Sequence, residues 1–162
     1  MIPTLRTVER GDIEPIKQLA IDNQMFAPED VGFFDEIISG HLAGELPDDR
    51  WLVTETNGRL TGAAYVATEP FGVRVWNLCF IATDPAFHGT GIGSLLISTI
   101  EEHVESLGGE HAQVLIVETS GTDQYAIARR FYENRRFHRE STIRDYYGTH
   151  DHKVTFWKAL NR

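Results

Sequence analysis

"DPAFHGTGIGSLL", residues 84–96, sets Gly89, Gly91 and Gly93 on alternate positions and then turns apolar. The chain places its freest backbone directly before a helical pattern. The first turn of a helix carries amides with no intrahelical acceptor and a partial positive charge. A phosphate group docks on such a turn, and glycine removes the side chains that would hold it at a distance. The amides of Gly89, Thr90, Gly91, Ile92, Gly93 and Ser94 are therefore candidate donors to a pyrophosphate. The same residues would also serve as a helix entrance with no ligand.

Around this stretch the chain is ordinary in composition. It has 162 residues, 41% hydrophobic and 24% charged, which suits one globular domain, 1–162, with a core of its own. Its only cysteine, Cys79, has no internal disulfide partner. No apolar run is long enough to span a bilayer, and the opening "MIPTLRTVERGD" lacks the apolar centre of a signal peptide. A cytoplasmic protein without a membrane partner is expected. The net charge of −9 argues against a nucleic-acid partner, which calls for a basic patch. It suits a cationic ligand better.

Periodicity orders the elements. "TLRTVE" reads as a first strand. "GDIEPIKQLAIDN" reads as a helix capped by Asp12, with Ile13, Ile16, Leu19 and Ala20 on one face. "PEDVGFFDEIISGHLAG" reads as a second helix with Pro28 at its start and Val31, Phe34, Ile37, Ile38 and Leu42 facing inward. "RWLVTET" and "RLTGAAYVATE" flank Asn57-Gly58, a hairpin turn. "VRVWNLCFIAT" is apolar enough to predict a fourth strand buried on both faces, Cys79 included. The helix after the glycines runs from Gly91 to Leu107, with Leu95, Leu96, Thr99, Ile100, His103, Val104 and Leu107 on one side, and ends at "LGG". "AQVLIVET" is a fifth strand. "TDQYAIARRFYENRR" is a short helix with Asp123 as cap. "FHRESTIRDYYG" and "HDHKVTFWKAL" close the chain as an antiparallel pair. The order β-α-α-β-β-β-α-β-α-β-β predicts an α/β (α+β) domain with helices covering a mixed sheet.

Three phosphate-binding patterns compete for the loop. A Walker loop needs lysine and then Ser or Thr after its last glycine, and neither is present. A dinucleotide fingerprint has a glycine where Ser94 stands and follows a first strand, not a fourth. The third pattern, Q/R-x-x-G-x-G/A between a strand and a long helix, matches His88-Gly89-Thr90-Gly91-Ile92-Gly93 except at its first residue. With it, "ARRFYENRRF" resembles the motif A-x-x-F/L-Y-x-x-x-G-F. On these two motifs and the element order, essentially the whole chain resembles the GNAT superfamily of acyl-CoA-dependent N-acyltransferases.

The resemblance implies a mixed sheet of about seven strands flanked by about four helices and splayed between strands 4 and 5. It implies acetyl-CoA as cosubstrate, with no metal, and direct attack on the thioester by an amine of a small molecule or peptide. The pyrophosphate would lie on residues 88–94. Phe80, Ile81, Ala82 and Thr83 would pair through their backbone with the pantetheine arm. His88 replaces the usual Gln or Arg, and histidine titrates near neutral pH, so it can still favour a phosphate. Tyr132 aligns with the family's tyrosine, whose phenol protonates the departing thiolate; packing on the sheet is the plainer reading of the same residue. Arg136 stands where the family has glycine. Tyr125, seven residues before Tyr132, lies against the cofactor arm, lines the acceptor site or simply packs.

An amine must lose a proton before attack, and a carboxylate assists. Glu118 on the fifth strand and Glu69 at the end of the third are the candidates, with Glu118 facing the splay if strand alternation holds; a solvated strand-end charge is the plainer reading of Glu69, which otherwise falls with the substrate-binding residues. Asp145, Tyr146 and Tyr147 in "IRDYYG" are placed to line an anionic acceptor pocket, which residues 25–45 and 142–152 shape. "HDH" at residues 150–152 has metal-ligand chemistry but no matching partner motif, so a turn is expected there. An acyl-CoA-binding sensor or partner-binding module with little catalysis is the rival reading. Oligomeric state stays open, with a homodimer the commonest arrangement.

Overall fold

In the computed structural model the elements are β1 (Thr4–Thr7), α1 (Ile13–Asp22), α2 (Phe33–Leu42), β2 (Arg50–Thr56), β3 (Arg59–Thr68), β4 (Val75–Thr83), α3 (Ile92–Ser106), β5 (Val114–Ser120), α4 (Ala126–Asn134), β6 (His138–Gly148) and β7 (Asp151–Ala159). The structure describes residues 2–46 and 48–161, so Met1, Pro47 and Arg162 of the 1–162 domain lie outside the described residues. The strands form one mixed sheet in the order β1-β2-β3-β4-β5-β7-β6. Its β4–β5 pair is parallel, and the ladder runs from Val75↔Val114 to Asn77↔Ile116, whereas β4 continues to Thr83 and β5 to Ser120. Residues Met1–Ala67 with Phe80–Glu102 form one compact unit, and Thr68–Cys79 with His103–Arg162 form another.

In the first unit, α1 and α2 bury their apolar stripes in one cluster. Ile16, Leu19, Ala20, Phe34 and Ile38 join Trp51, Val53, Ala63, Tyr65, Phe80 and Ala82 from the strands. Leu42, expected on the inner face of α2 with Phe34 and Ile38, is exposed as the last residue of the helix. Asp12 also departs from expectation. Its carboxylate makes no cap to α1; it takes both Arg6 nitrogens at 2.8 and 3.0 Å and the Glu9 amide at 2.7 Å. At the β2–β3 turn, Asn57 and Gly58 both have positive φ, 53° and 76°, as a type I′ hairpin demands. On β3, a Cβ at Gly62 would come within 2.7 Å of both Ile92 Cγ2 and Thr54 Oγ1. Only glycine lets the start of α3 lie that close to the strand. Ile92, Leu96, Ile97 and Ile100 are buried along α3, while Leu95 faces outward.

The β4 strand alternates instead of burying both faces. Trp76, Leu78, Phe80 and Ala82 are buried, while Asn77, Cys79, Ile81 and Thr83 lie on the opposite, more open face. Cys79 is therefore exposed, contrary to the expectation of a buried strand cysteine. The apolar residues on the open face hid this alternation in the sequence.

In the second unit, Leu115 and Val117 of β5 pack with Val154 and Phe156 of β7 in a buried layer. Helix α4 covers it through Tyr132, whose ring centroid lies 5.6 Å from Phe156 and 5.9 Å from Phe137. The helix ends in a Schellman motif: Phe137 N bonds to Tyr132 O at 3.1 Å and Arg136 N to Glu133 O at 3.0 Å. Arg136 supplies the left-handed residue, with φ 69°, so the turn forms without the expected glycine. A non-glycine residue there costs about 1 kcal/mol. Arg136→Gly should therefore raise stability by about 0.5–1 kcal/mol, read as a higher urea midpoint with unchanged slope. A lower midpoint would show that the arginine side chain contributes more than its backbone strain costs.

Candidate functional site

The glycine loop belongs to the first unit. Asp84 starts it: its amide donates to Thr61 O at 2.8 Å, and its carboxylate accepts from Ala86 N at 2.9 Å and pairs with Arg59. A 3₁₀ turn over Pro85–Phe87 follows. Gly89 and Gly91 have φ of 79° and 91°, a region that side chains disfavour. A Cβ built on either would meet no atom within 4 Å, so the space before them is open. The first bond of the α3 ladder runs from Leu95 N to Gly91 O at 3.0 Å. The amides of Ile92, Gly93 and Ser94 precede it and are the turn's outward donors. Thr90 differs, since its amide and hydroxyl both donate to Phe87 O. The loop thus offers an anionic group such as a pyrophosphate an open turn of backbone donors.

His88 is tied into the fold. Its Nε2 lies 3.0 Å from Thr83 O and 3.2 Å from Asn23 Oδ1. Asn23, the C-cap of α1, donates its Nδ2 to Thr83 O at 2.9 Å and Leu19 O at 2.8 Å. A carbonyl only accepts, so His88 Nε2 carries a proton and donates. The imidazole fastens the start of the loop to α1 and to the end of β4. Of the four β4 residues expected to meet the cofactor arm, Phe80 and Ala82 turn inward and Ile81 and Thr83 face the more open side.

A second group of polar side chains lies in the second unit. Asn77 Nδ2 reaches Glu69 Oε1 at 2.6 Å and Glu118 Oε1 at 3.4 Å. Lys153 Nζ lies 3.0 Å from Glu118 Oε2 and 4.0 Å from the centroid of the Tyr146 ring. Sheet register builds this group. Glu118 alternates with buried Val117 and Thr119; it sits two residues past Ile116, the partner of Asn77. Across the antiparallel ladder Glu118 faces Thr155, and Lys153 is the diagonal neighbour. Burial tends to discharge the Lys153 ammonium, but Glu118 and Tyr146 outweigh it and hold the lysine above its ordinary value. Burial, reinforced by Glu118, Tyr146, Asp151 and Tyr125, pushes the Tyr147 phenol up to about 12.

The two tyrosines reach this group because β6 is irregular. Its pairing with β7 passes from Ile143↔Lys153 to Gly148↔Asp151, and the extra β6 residues bulge out and re-aim their side chains. Asp145 sits in that bulge with φ 56°. Its amide donates to His152 Nδ1 at 3.0 Å, and its carboxylate accepts from His150 N at 2.8 Å. The structure thus brings Glu69 and Glu118 together through Asn77, sets Tyr146 against Lys153 beside them, and holds Asp145 in the β6 bulge. Asp151 accepts from Ser120 Oγ at 2.6 Å.

Tyr132 lies in the same unit, buried among Phe131, Phe137 and Phe156. Burial pushes its phenol well above the ordinary tyrosine value, so it stays protonated. Tyr125, the N-cap of α4, is half-buried and raised by burial and then by Asp151. Sequence reasoning missed Asn77 and Lys153. Their partners lie on other strands, and the one available signal, a polar residue on an otherwise apolar strand, does not name a partner.

The chain matches the family model of the acetyltransferase (GNAT) family over residues 16–137. It is 39% identical over 61 residues to N-alpha-acetyltransferase 60 of Xenopus tropicalis, a match covering 38% of this chain and 24% of that protein. The curated relatives it matches are longer, and it aligns with 24–43% of their length. Among solved structures it resembles a protein of Desulfovibrio desulfuricans assigned to the GNAT family, with TM-score 0.86, 23% identity and coverage of 98% and 99% of the two chains. It also resembles yncA of Salmonella typhimurium, solved with its cofactor acetyl-CoA, with TM-score 0.81, 17% identity and coverage of 100% and 96%. At these identities the structural likeness shows the fold. Among the described residues no helix is long and apolar enough to cross a membrane.

Proposed function

The chain belongs to the acetyltransferase (GNAT) family, and from that premise we propose that it transfers an acetyl group from acetyl-CoA to an amine of a peptide or small molecule by direct attack. The observation that carries this reading is the glycine loop: two glycines at positive φ before open space, at the N-terminus of α3. Acetyl-CoA supplies the activated thioester. Its pyrophosphate is held by the amides of Gly89, Gly91, Ile92, Gly93 and Ser94 and by the α3 dipole. Thr90 and His88 act one step back, by shaping and anchoring the loop. The backbone of Phe80 to Thr83 aligns the pantetheine arm, and an amide of β4 steadies charge developing on the carbonyl oxygen.

Glu118, directly or through water, accepts the proton that the amine loses. Asn77 holds Glu118 beside Glu69. Tyr132, neutral at every physiological pH, donates its phenolic proton to the departing thiolate. The names of the relatives favour a peptide α-amine as acceptor. The lone cysteine suits a reducing, cytoplasmic setting.

Release of free coenzyme A thiol from acetyl-CoA tests the proposal, measured against a neutral peptide, an amino acid, a polyamine and an aminoglycoside. Release that depends on an added amine, with a mass increase of one acetyl group on that amine, is the expected result. A rise in melting temperature with acetyl-CoA but no release from any amine would instead establish a binding module.

A further inference from the structure

Resting on the acetyl-transfer reading, we propose that the chain acetylates its own Lys153, whose amine stands beside the base that the acceptor amine must reach. In the proposed reaction the attacking amine gives its proton to Glu118. Lys153 Nζ already lies 3.0 Å from Glu118 Oε2, within reach for that transfer. The Tyr146 ring, its centroid 4.0 Å from Nζ, holds the ammonium in place through its π face.

Sheet register puts the lysine there. Glu118 pairs with Thr155 across the antiparallel ladder, so Thr155 and Lys153, two residues earlier, share its face of the sheet. Val154 and Phe156 alternate with them and are buried on the other face. Glu118 sits two residues past Ile116, where the parallel ladder to β4 ends. The proposed reaction sets the thioester on that parted stretch. The other two lysines of the sequence are engaged elsewhere. Lys17 pairs with Glu14 and Asp35, and Lys158 Nζ donates to Arg135 O at 2.9 Å.

The step balances with acetyl-CoA as the one co-reactant. Glu118 takes a proton from the Lys153 ammonium, and the freed amine attacks the thioester carbonyl carbon. The Nζ–C bond forms and the C–S bond breaks. Tyr132 gives a proton to the departing thiolate, and the new amide nitrogen sheds its second proton to solvent, which restores Tyr132. The net products are an amide on Lys153, a free thiol and one proton. Burial works against the charge on Lys153, but Glu118 and Tyr146 hold it. Asp151, bonded to the neutral Ser120 hydroxyl, adds negative charge to the same surroundings. Neutral amine is therefore scarce, and self-transfer is slow beside transfer to an added amine. It occurs once per chain.

The test incubates the full chain with acetyl-CoA and no added amine. Peptide mass spectrometry follows the acetyl group on Lys17, Lys153 and Lys158 over time. Lys17 and Lys158 report spontaneous acetylation by the thioester. Lys153 should be labelled roughly ten-fold faster than either, as a positioned amine is. The rate per chain should not change when the protein is diluted, because base and amine belong to one molecule. Glu118→Gln should slow labelling of Lys153 by about 100-fold and leave that of Lys17 and Lys158 unchanged. Should Glu118→Gln fail to fold, the ratio among the three lysines and the dilution series still decide.

Equal labelling of the three lysines would overturn the proposal. So would a rate that falls on dilution, or labelling of Lys153 that survives in Glu118→Gln. An unmarked Lys153 in a chain that acetylates an added amine would overturn it too, although acetyl transfer itself would stand. No mark on Lys153 and no release from any amine would overturn the transfer reading and this inference with it.

Discussion

Gly91→Val should weaken acetyl-CoA binding by about 100-fold while leaving the chain folded. Gly91 has φ 91°, where a β-branched side chain is strongly disfavoured, so the loop must change shape to accept valine. A change in shape withdraws donors from the phosphates. Losing two hydrogen bonds to a charged group, each worth about 1.5 kcal/mol, gives about a 100-fold loss. No atom lies within 4 Å of the built Cβ, so the substitution meets open space, not protein. Calorimetric titration with acetyl-CoA measures the affinity, and a single cooperative urea transition of unchanged slope, its midpoint lowered by the equivalent of about 1–2 kcal/mol of strain from valine at positive φ, shows that the fold persists. A valine variant that binds like the wild type would remove the loop from the cofactor site.

Tyr132→Phe should lower kcat by about 100-fold, the low end of what a positioned acid contributes, with little change in the KM for acetyl-CoA. Phenylalanine keeps the ring against Phe137 and Phe156 and removes only the hydroxyl. A residue that merely packs would leave kcat intact. The direction of its titration adds a second check. Burial raises the phenol above the ordinary value near 10, so the folded chain holds this proton more tightly than the unfolded chain. The stability it contributes is complete below pH 10 and is lost as the pH climbs above that value. Tyr132→Phe should therefore flatten the alkaline fall in stability, measured by urea unfolding between pH 9 and pH 11.

The loop and the tyrosine were both legible from local sequence. Alternate glycines before an apolar helical stripe state a backbone conformation, and conformation at Gly89 and Gly91 depends on neighbours in the chain. The element order followed in the same way, from the period of the apolar residues and from Asn57-Gly58. Element edges were less clear. Short 3₁₀ turns precede α1, α2 and α4, and a residue such as Asp123 belongs to such a turn and not to a helix cap. Arg136 marks another limit: the backbone bonds of the Schellman turn hold it in a left-handed conformation that its side chain does not advertise.

The chain's local order thus carried the helices, strands and glycine turn before α3, because each rests on propensities acting over a few residues. The partners of Glu118 depended on folding. Asn77 reaches it through the parallel register and Lys153 through an antiparallel diagonal, and a bulge brings Tyr146 onto Lys153. The open face of β4, with Cys79 on it, is a matter of what packs on each side of the sheet. Such pairings join residues tens of positions apart, and a shift of one residue in register would send every side chain to the opposite face. They exist only once the strands have been laid side by side.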